Sequence, residues 1–195
     1  MGNTWVLWMN VEKMGFPDGS FDVVLGGFMG WDYCFDFVHN AFTGSDVRMR
    51  EIARVSREGG QVWICAWERQ ADLDWMEEMF IRHLPSIVSD PEFIERYPIG
   101  YSRENATGYD TIMKNAGLKN IEIFKETADF VSTDEEAWWE EIQNLGWKRF
   151  TRKVDAEGSN DPRKFKEHVW EELQRNKHAD GIHFTKSVLF AHGVK

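Results

Sequence analysis

Apolar residues fall along this chain in two rhythms, and the changes of rhythm mark its elements. TWVLWM (4–9) is β-branched and aromatic and predicts a strand. PDGS (17–20) is turn chemistry, and FDVVLG (21–26) behind it predicts a short buried strand. A charge placed in that strand, as in Val23→Asp, is expected to break the fold. SDVRMREIARVSR (45–57) changes to helical spacing: Met49, Ile52, Ala53 and Ser56 share one face, and Ser45 stands where an N-cap belongs. EGG (58–60) stops the helix, and QVWICAW (61–67) returns to a buried strand. Strand, helix, glycine turn and strand make a βαβ unit, whose two strands lie side by side and parallel.

The rest of the chain repeats the alternation. ADLDWMEEMFIRH (71–83) is an amphipathic helix, followed by a looser stretch (84–101) with Pro85, Pro91 and Pro98. A helix over 102–118 ends at Gly117, and KNIEIFKE (119–126) is a strand. The segment 132–146 carries a capping box, Ser132 with Glu135, and a stop at Gly146. Asn160 and Pro162 open a further helix with Phe165, Val169, Trp170 and Leu173 at core spacing, and 182–193 is the last strand. DAEGSNDP (155–162) is the most loop-like stretch and too short to link domains. The pattern predicts one α/β domain over 1–195, with a mostly parallel sheet and flanking helices.

Length agrees, since 195 residues suffice for one core. Ten Trp and fourteen Phe read chiefly as that core, the remainder as pocket wall or subunit contact. A net charge of −10 argues against nucleic acid and against an anionic membrane surface as partners. No apolar run approaches a membrane span, and nothing at the N-terminus resembles a signal peptide. Cys34 and Cys65 lie in apolar settings outside any CxxC pair and read as buried reduced thiols, which fits a cytoplasmic protein.

MNVEKMGFPDGSFDVVL (9–25), the helix and strand MREIARVSREGGQVWICAWE (49–68), AGLKNIEI (116–123) and the closing SVLFAHGVK (187–195) together resemble the class I S-adenosylmethionine-dependent methyltransferases, in particular the type 11 small-molecule branch. The resemblance implies a partial Rossmann-like fold with an antiparallel C-terminal strand, S-adenosylmethionine as cofactor and a small-molecule methyl acceptor. It also implies an absent front half. The family's GxGxG loop and the acidic residue of its second strand precede the motif that Asn10 and Val11 match, and only nine residues precede Asn10 here. Asn10 stands where the family has Asp, and its carbonyl oxygen still accepts a hydrogen bond from an adenine amine. Val11 would offer its backbone N–H to the ring. GGFMG (26–30) fits neither GxGxG nor GxGxxG, yet follows a strand whose carboxyl end faces the cofactor in the family. Gly26, Gly27 and Phe28 are the residues the resemblance places there, at the kind of strand end where α/β sheets bind ligands.

Methyl transfer from a sulfonium needs alignment of donor and acceptor and exclusion of water, and a base only if the acceptor loses a proton. Asp36 and His39 follow the glycine loop and are the candidates for that base. Trp31 takes a position where many relatives carry His. The segment 68–101 is the expected substrate cover, and Trp67, Trp75, Phe80, Phe93, Tyr97 and Tyr101 suit an apolar acceptor. His83, His168, His178, His183 and His192 show no metal-ligand spacing. No GxGxxG follows a strand, which weakens a nicotinamide-dehydrogenase reading. The competing expectation is a non-catalytic remnant, a homo-oligomer or binding module paired through the unprotected edge of FDVVL, with TWVLWM as another possible filler of that edge.

Overall fold

The expected parallel pair is present. In the computed structural model, which describes residues 4–84, 89, 91, 104–144 and 162–195, β1 (Phe21–Gly27) lies parallel to β4 (Ser56–Gln70). Val23 stands opposite Gln61 and Gly27 opposite Cys65. Between them run β2 (Phe35–Asp36) and β3 (Ala41–Phe42), an antiparallel two-stranded sheet, and α1 (Val47–Val55). The chain continues with α2 (Ala71–His83), α3 (Ala106–Asn115), β5 (Lys119–Ser132), α4 (Glu135–Ile142), α5 (Pro162–Leu173), the short β6 (Lys177–His178) and β7 (Gly181–Val194).

The strand order is β1-β4-β7-β5, with β6 beside β7. Lys195 exchanges backbone hydrogen bonds with Gly59 and Gly60, while the Ser187 hydroxyl reaches Glu68, so β7 runs against β4. Phe190 stacks on Phe124 and Gly193 abuts Leu118 and Ile121, so β7 also runs against β5. Thus β1, β4 and β5 point one way and the C-terminal strand points the other, an α/β fold with a mostly parallel sheet.

Helix α1 shows why the central unit forms. The Asp46 carboxylate accepts from the Met49 amide at 3.1 Å, capping the helix start. Met49, Ile52, Ala53 and Val55 are buried on one face. The Ser56 hydroxyl then donates to the Ile52 carbonyl at 2.8 Å, and the backbone turns extended. EGG therefore does not end the helix. It lies inside β4, where the register slips from Phe21 opposite Ser56 to Val23 opposite Gln61 and Gly59 takes a φ of 74°.

The chain divides into two compact units: Met1–Glu68 with Ser102–Glu126 and Ser187–Lys195, and Arg69–Tyr101 with Thr127–Lys186. The first has a core of Met49, Ile52, Val62, Ile64, Ile112 and Leu189, joined by the aromatic rings of Trp31, Phe35, Phe37 and Tyr109. The second buries Met76, Phe80, Trp138, Phe165, Val169 and Leu173. The substrate-cover segment expected over 68–101 falls mainly in the second, and its Phe93, Tyr97 and Tyr101 lie outside the described residues, as do Gly146 and most of 155–162.

Four sequence expectations are corrected. TWVLWM (4–9) is not a strand: it makes no ladder, and Trp5, Val6, Leu7 and Trp8 are exposed. High β-propensity describes fitness for a pleated surface, and among the described residues no neighbouring strand pairs with these to form one. β1 is not buried either. It is the end strand of the sheet order, Val23 is 49% exposed and Leu25 75%, so a charge at Val23 meets water and has no reason to break the fold. The caps are Asp46 and Asp134, not Ser45 and Ser132, because the Asp carboxylates reach the Met49 and Ala137 amides. Cys34 is buried but Cys65 only half-buried, both as free thiols.

Candidate functional site

The carboxyl end of β1, at Gly27 and Phe28, lies beside Cys65 and Trp67 of β4, which runs on to Gln70. The Phe28 amide donates to the Cys65 carbonyl at 2.8 Å, which carries the ladder one residue past β1. Phe28 then turns to a positive φ of 51°. Its ring packs on Trp67, centroids 4.8 Å apart, and remains 51% exposed. A non-glycine residue in this backbone region is uncommon and concentrates at functional positions. Gly26 is buried against Ile64 and Met29, Gly27 lies beside the Cys65 sulfur, and Gly30 has a φ of 71° that other residues adopt at a cost.

Two charged side chains grip the loop that follows. Arg48, from α1, donates through Nη1 to the carbonyls of Met29 at 3.3 Å and Gly30 at 3.4 Å. Its guanidinium lies 3.9 Å from the centroid of the Tyr33 ring, and its Nε pairs with Glu12 at 3.4 Å. Glu104, two residues before α3, accepts from the Trp31 amide at 2.6 Å and from the Tyr109 hydroxyl. Burial raises the Glu104 carboxyl above the usual carboxylate range, against the lowering effect of those two donors. Tyr109 is pushed far up, first by burial and then by the Glu104 charge.

Asn10 opens a turn. Its side-chain oxygen accepts from the Glu12 amide at 2.9 Å and its carbonyl from the Lys13 amide at 3.1 Å, an Asx-turn arrangement. Val11 is half-buried against the first unit's core. The turn is tied to the glycine loop through Glu12 and Arg48.

Asp36 and His39 lie apart, on the two-stranded sheet. Asp36 accepts from the Val38 and His39 amides at 2.8 and 3.1 Å and meets His39 Nδ1 at 2.6 Å. The His39 side chain foremost holds the exposed Asp36 carboxyl below the usual range. This is an oriented carboxylate–imidazole pair at a hairpin tip. The structure thus brings Gly26, Gly27 and Phe28 together with Cys65 and Trp67, links Asn10 and Val11 to them through Arg48, and leaves Asp36 and His39 on a separate element.

Sequence reasoning missed Arg48 and Glu104. Arg48 is one of several cations in a charged helix, and Glu104 stands one residue before a cap, so neither carries a spacing signal. Among the described residues, no group of three or more His, Cys, Asp or Glu is arranged to hold a metal ion, and no helix is long and apolar enough to cross a membrane.

No family model and no curated protein matches the chain. Similar solved structures exist. The YcgJ protein of Bacillus subtilis is 16% identical, with 96% of this chain aligned to 69% of that one at a TM-score of 0.46. A SAM-dependent methyltransferase of Thermotoga maritima is 12% identical, over 98% and 64% of the two chains, at 0.43. Phosphoethanolamine N-methyltransferase 2 of Haemonchus contortus, in complex with S-adenosyl-L-methionine, is 18% identical over 95% and 36%, at 0.38. At scores below 0.5 these likenesses carry no argument, and the fold described above rests on the chain's own strand order and directions.

Proposed function

We propose that this chain is a methyltransferase segment that binds S-adenosylmethionine and serves transfer of its methyl group to a small-molecule acceptor in the cytoplasm. The observation that carries the reading is the aromatic pair at the carboxyl end of β1, where the exposed Phe28 packs on the half-buried Trp67 of the parallel neighbour β4. The crevice outside the carboxyl ends of parallel strands is the ligand position in such sheets. An aromatic face there suits a cation, and a sulfonium is one. Gly26 and Gly27 leave the strand end without side chains, so a ligand can lie against backbone.

The donor set fits in part. The Asn10 carbonyl already takes the Glu12 amide but keeps a second lone pair for an adenine amine. Val11 would offer its N–H to the ring. The bound cofactor supplies an activated methyl group; this chain's residues orient it and keep water from it. Asp36 orients the His39 ring through Nδ1; the pair stands on the separate two-stranded sheet, so its Nε2 would take a proton only from an acceptor that extends to that hairpin.

Calorimetric titration with S-adenosylmethionine tests the reading. Binding tighter than ~100 µM, about −5.5 kcal/mol, is expected. Phe28→Ala should weaken it several-fold with the melting temperature little changed, and Trp67→Phe, which keeps a ring in β4, should weaken it less. A folded protein giving no heat overturns the proposal.

A second reading, a non-catalytic interaction module, is favoured by one specific observation. β1 ends the sheet order and presents Val23 and Leu25 to solvent, and Trp5, Val6, Leu7 and Trp8 are exposed nearby in sequence. Such an edge invites pairing with a second copy. Sedimentation at high micromolar concentration should then show a dimer that Leu25→Asp dissociates, and a monomer throughout rules it out.

A further inference from the structure

The Gly30–Trp31 peptide is held at both ends. Its oxygen accepts from Arg48 at 3.4 Å, and its N–H donates to Glu104 at 2.6 Å. A cation sits at the negative end of the peptide dipole and a carboxyl group at the positive end. The two come from different elements, α1 and the approach to α3, and are separated by 56 positions, 48 to 104. Each is itself oriented. Arg48 is stacked over Tyr33 and paired with Glu12, and the second oxygen of Glu104 takes the Tyr109 hydroxyl from the core. Gly30 supplies the φ of 71° that this peptide plane requires.

Simple packing does not account for this. The loop already has an apolar anchor, since Trp31 is fully buried with its ring edge-on to Tyr109. An anchor of that kind fixes the position of a loop and leaves its peptide planes free to rotate. Keeping a half-buried carboxyl there has a cost, visible in the upward displacement of Glu104 by desolvation. The arrangement is intelligible if the orientation of one peptide, and so the path of the loop from Phe28 to Trp31, must be set.

We propose that Arg48 and Glu104 are positioning residues that fix the Gly30–Trp31 peptide plane and so hold the strand-end loop carrying Phe28 in one conformation. The setting of the loop stands on the hydrogen bonds alone. Its consequence for a ligand rests on the methyltransferase reading above.

Amide hydrogen exchange in the free protein, resolved by residue, tests it. In Glu104→Ala the Trp31 amide should exchange about tenfold faster, the equivalent of one hydrogen bond of ordinary strength. The Val62 and Ile64 amides of β4 report whether the fold survives and should be unchanged. Glu104→Gln keeps an acceptor for the Trp31 amide and a donor for Tyr109, so it should restore most of the protection. Arg48→Met should accelerate the Trp31 amide too, though less. An unchanged Trp31 amide in Glu104→Ala overturns the proposal. So does equal loss in the Ala and Gln variants, because that would mark a volume effect. The same variants titrated with S-adenosylmethionine then separate the two claims: altered exchange with no binding by the wild type retains the clamp and discards the ligand.

Discussion

Lys186→Met is expected to destabilise the protein by about 3–5 kcal/mol, among the largest losses open to a single substitution here. Lys186 Nζ meets Asp72 Oδ2 at 2.8 Å with the two side chains only 11% and 4% exposed. Asp72 also accepts from the Leu73 amide at 3.0 Å in the first turn of α2. An ion pair this deep is not itself strong evidence of stability, because taking both charges from water cancels much of their attraction. Removing one partner is different. It leaves a carboxylate with its desolvation uncompensated, and the loss far exceeds that of any exposed pair, typically below about 1 kcal/mol. The double variant Asp72→Asn/Lys186→Met should therefore lose less than Lys186→Met alone. Urea unfolding of the wild type, both single variants and the double variant checks this, read at the midpoint with the slope unchanged. Strict additivity of the two single losses would show that the groups do not act as a pair.

The fold was legible where local signals agreed with one another. The helix over 71–83 is found with those bounds, because its apolar face and its ends coincide with a change to strand pattern on the N-terminal side. The parallel pairing of 21–26 with 61–67 followed from the crossover between them. What failed depended on neighbours distant in sequence. TWVLWM has strand composition but no partner strand among the described residues, and FDVVLG has core composition but lies at the end of the sheet order. The extra lengths of β4 and β5, each well beyond its apolar run, come from ladder pairing that polar residues join without advertising it. Ser45 and Ser132 lost their capping roles to an Asp one or two places on, a choice between near-equal acceptors that backbone geometry decides. The candidate site divides the same way. Glycines after a strand announce a strand-end loop, whereas Arg48 and Glu104 act on backbone groups of that loop and are recognisable only once it is placed.

Gly108→Ala should destabilise by about 2 kcal/mol, although it puts a better helix former inside a helix. Two effects oppose each other. Alanine is favoured over glycine within a helix by about 1 kcal/mol. Against this, a Cβ at Gly108 would lie 2.3 Å from Phe37 Cδ1, 2.5 Å from its Cε1 and 2.9 Å from Phe35 Cε1. Overpacking a filled core costs roughly 1–3 kcal/mol, and a clash with aromatic ring atoms belongs near the upper end. The rings have little room to yield. Phe35 packs on Phe37 at 5.0 Å and on Phe42 at 4.9 Å, while Phe37 lies 5.9 Å from Tyr109. The Phe37 backbone is itself tied to the helix, its carbonyl accepting from the Asn105 amide group at 2.9 Å. The packing term therefore outweighs propensity. If it does, relieving the ring should reverse the sign: in a Phe37→Leu background, itself destabilised, Gly108→Ala should become neutral or stabilising. Chemical unfolding of the four proteins in this cycle decides, and a Gly108→Ala loss of equal size in both backgrounds would show that the Phe37 ring is not what the methyl group meets.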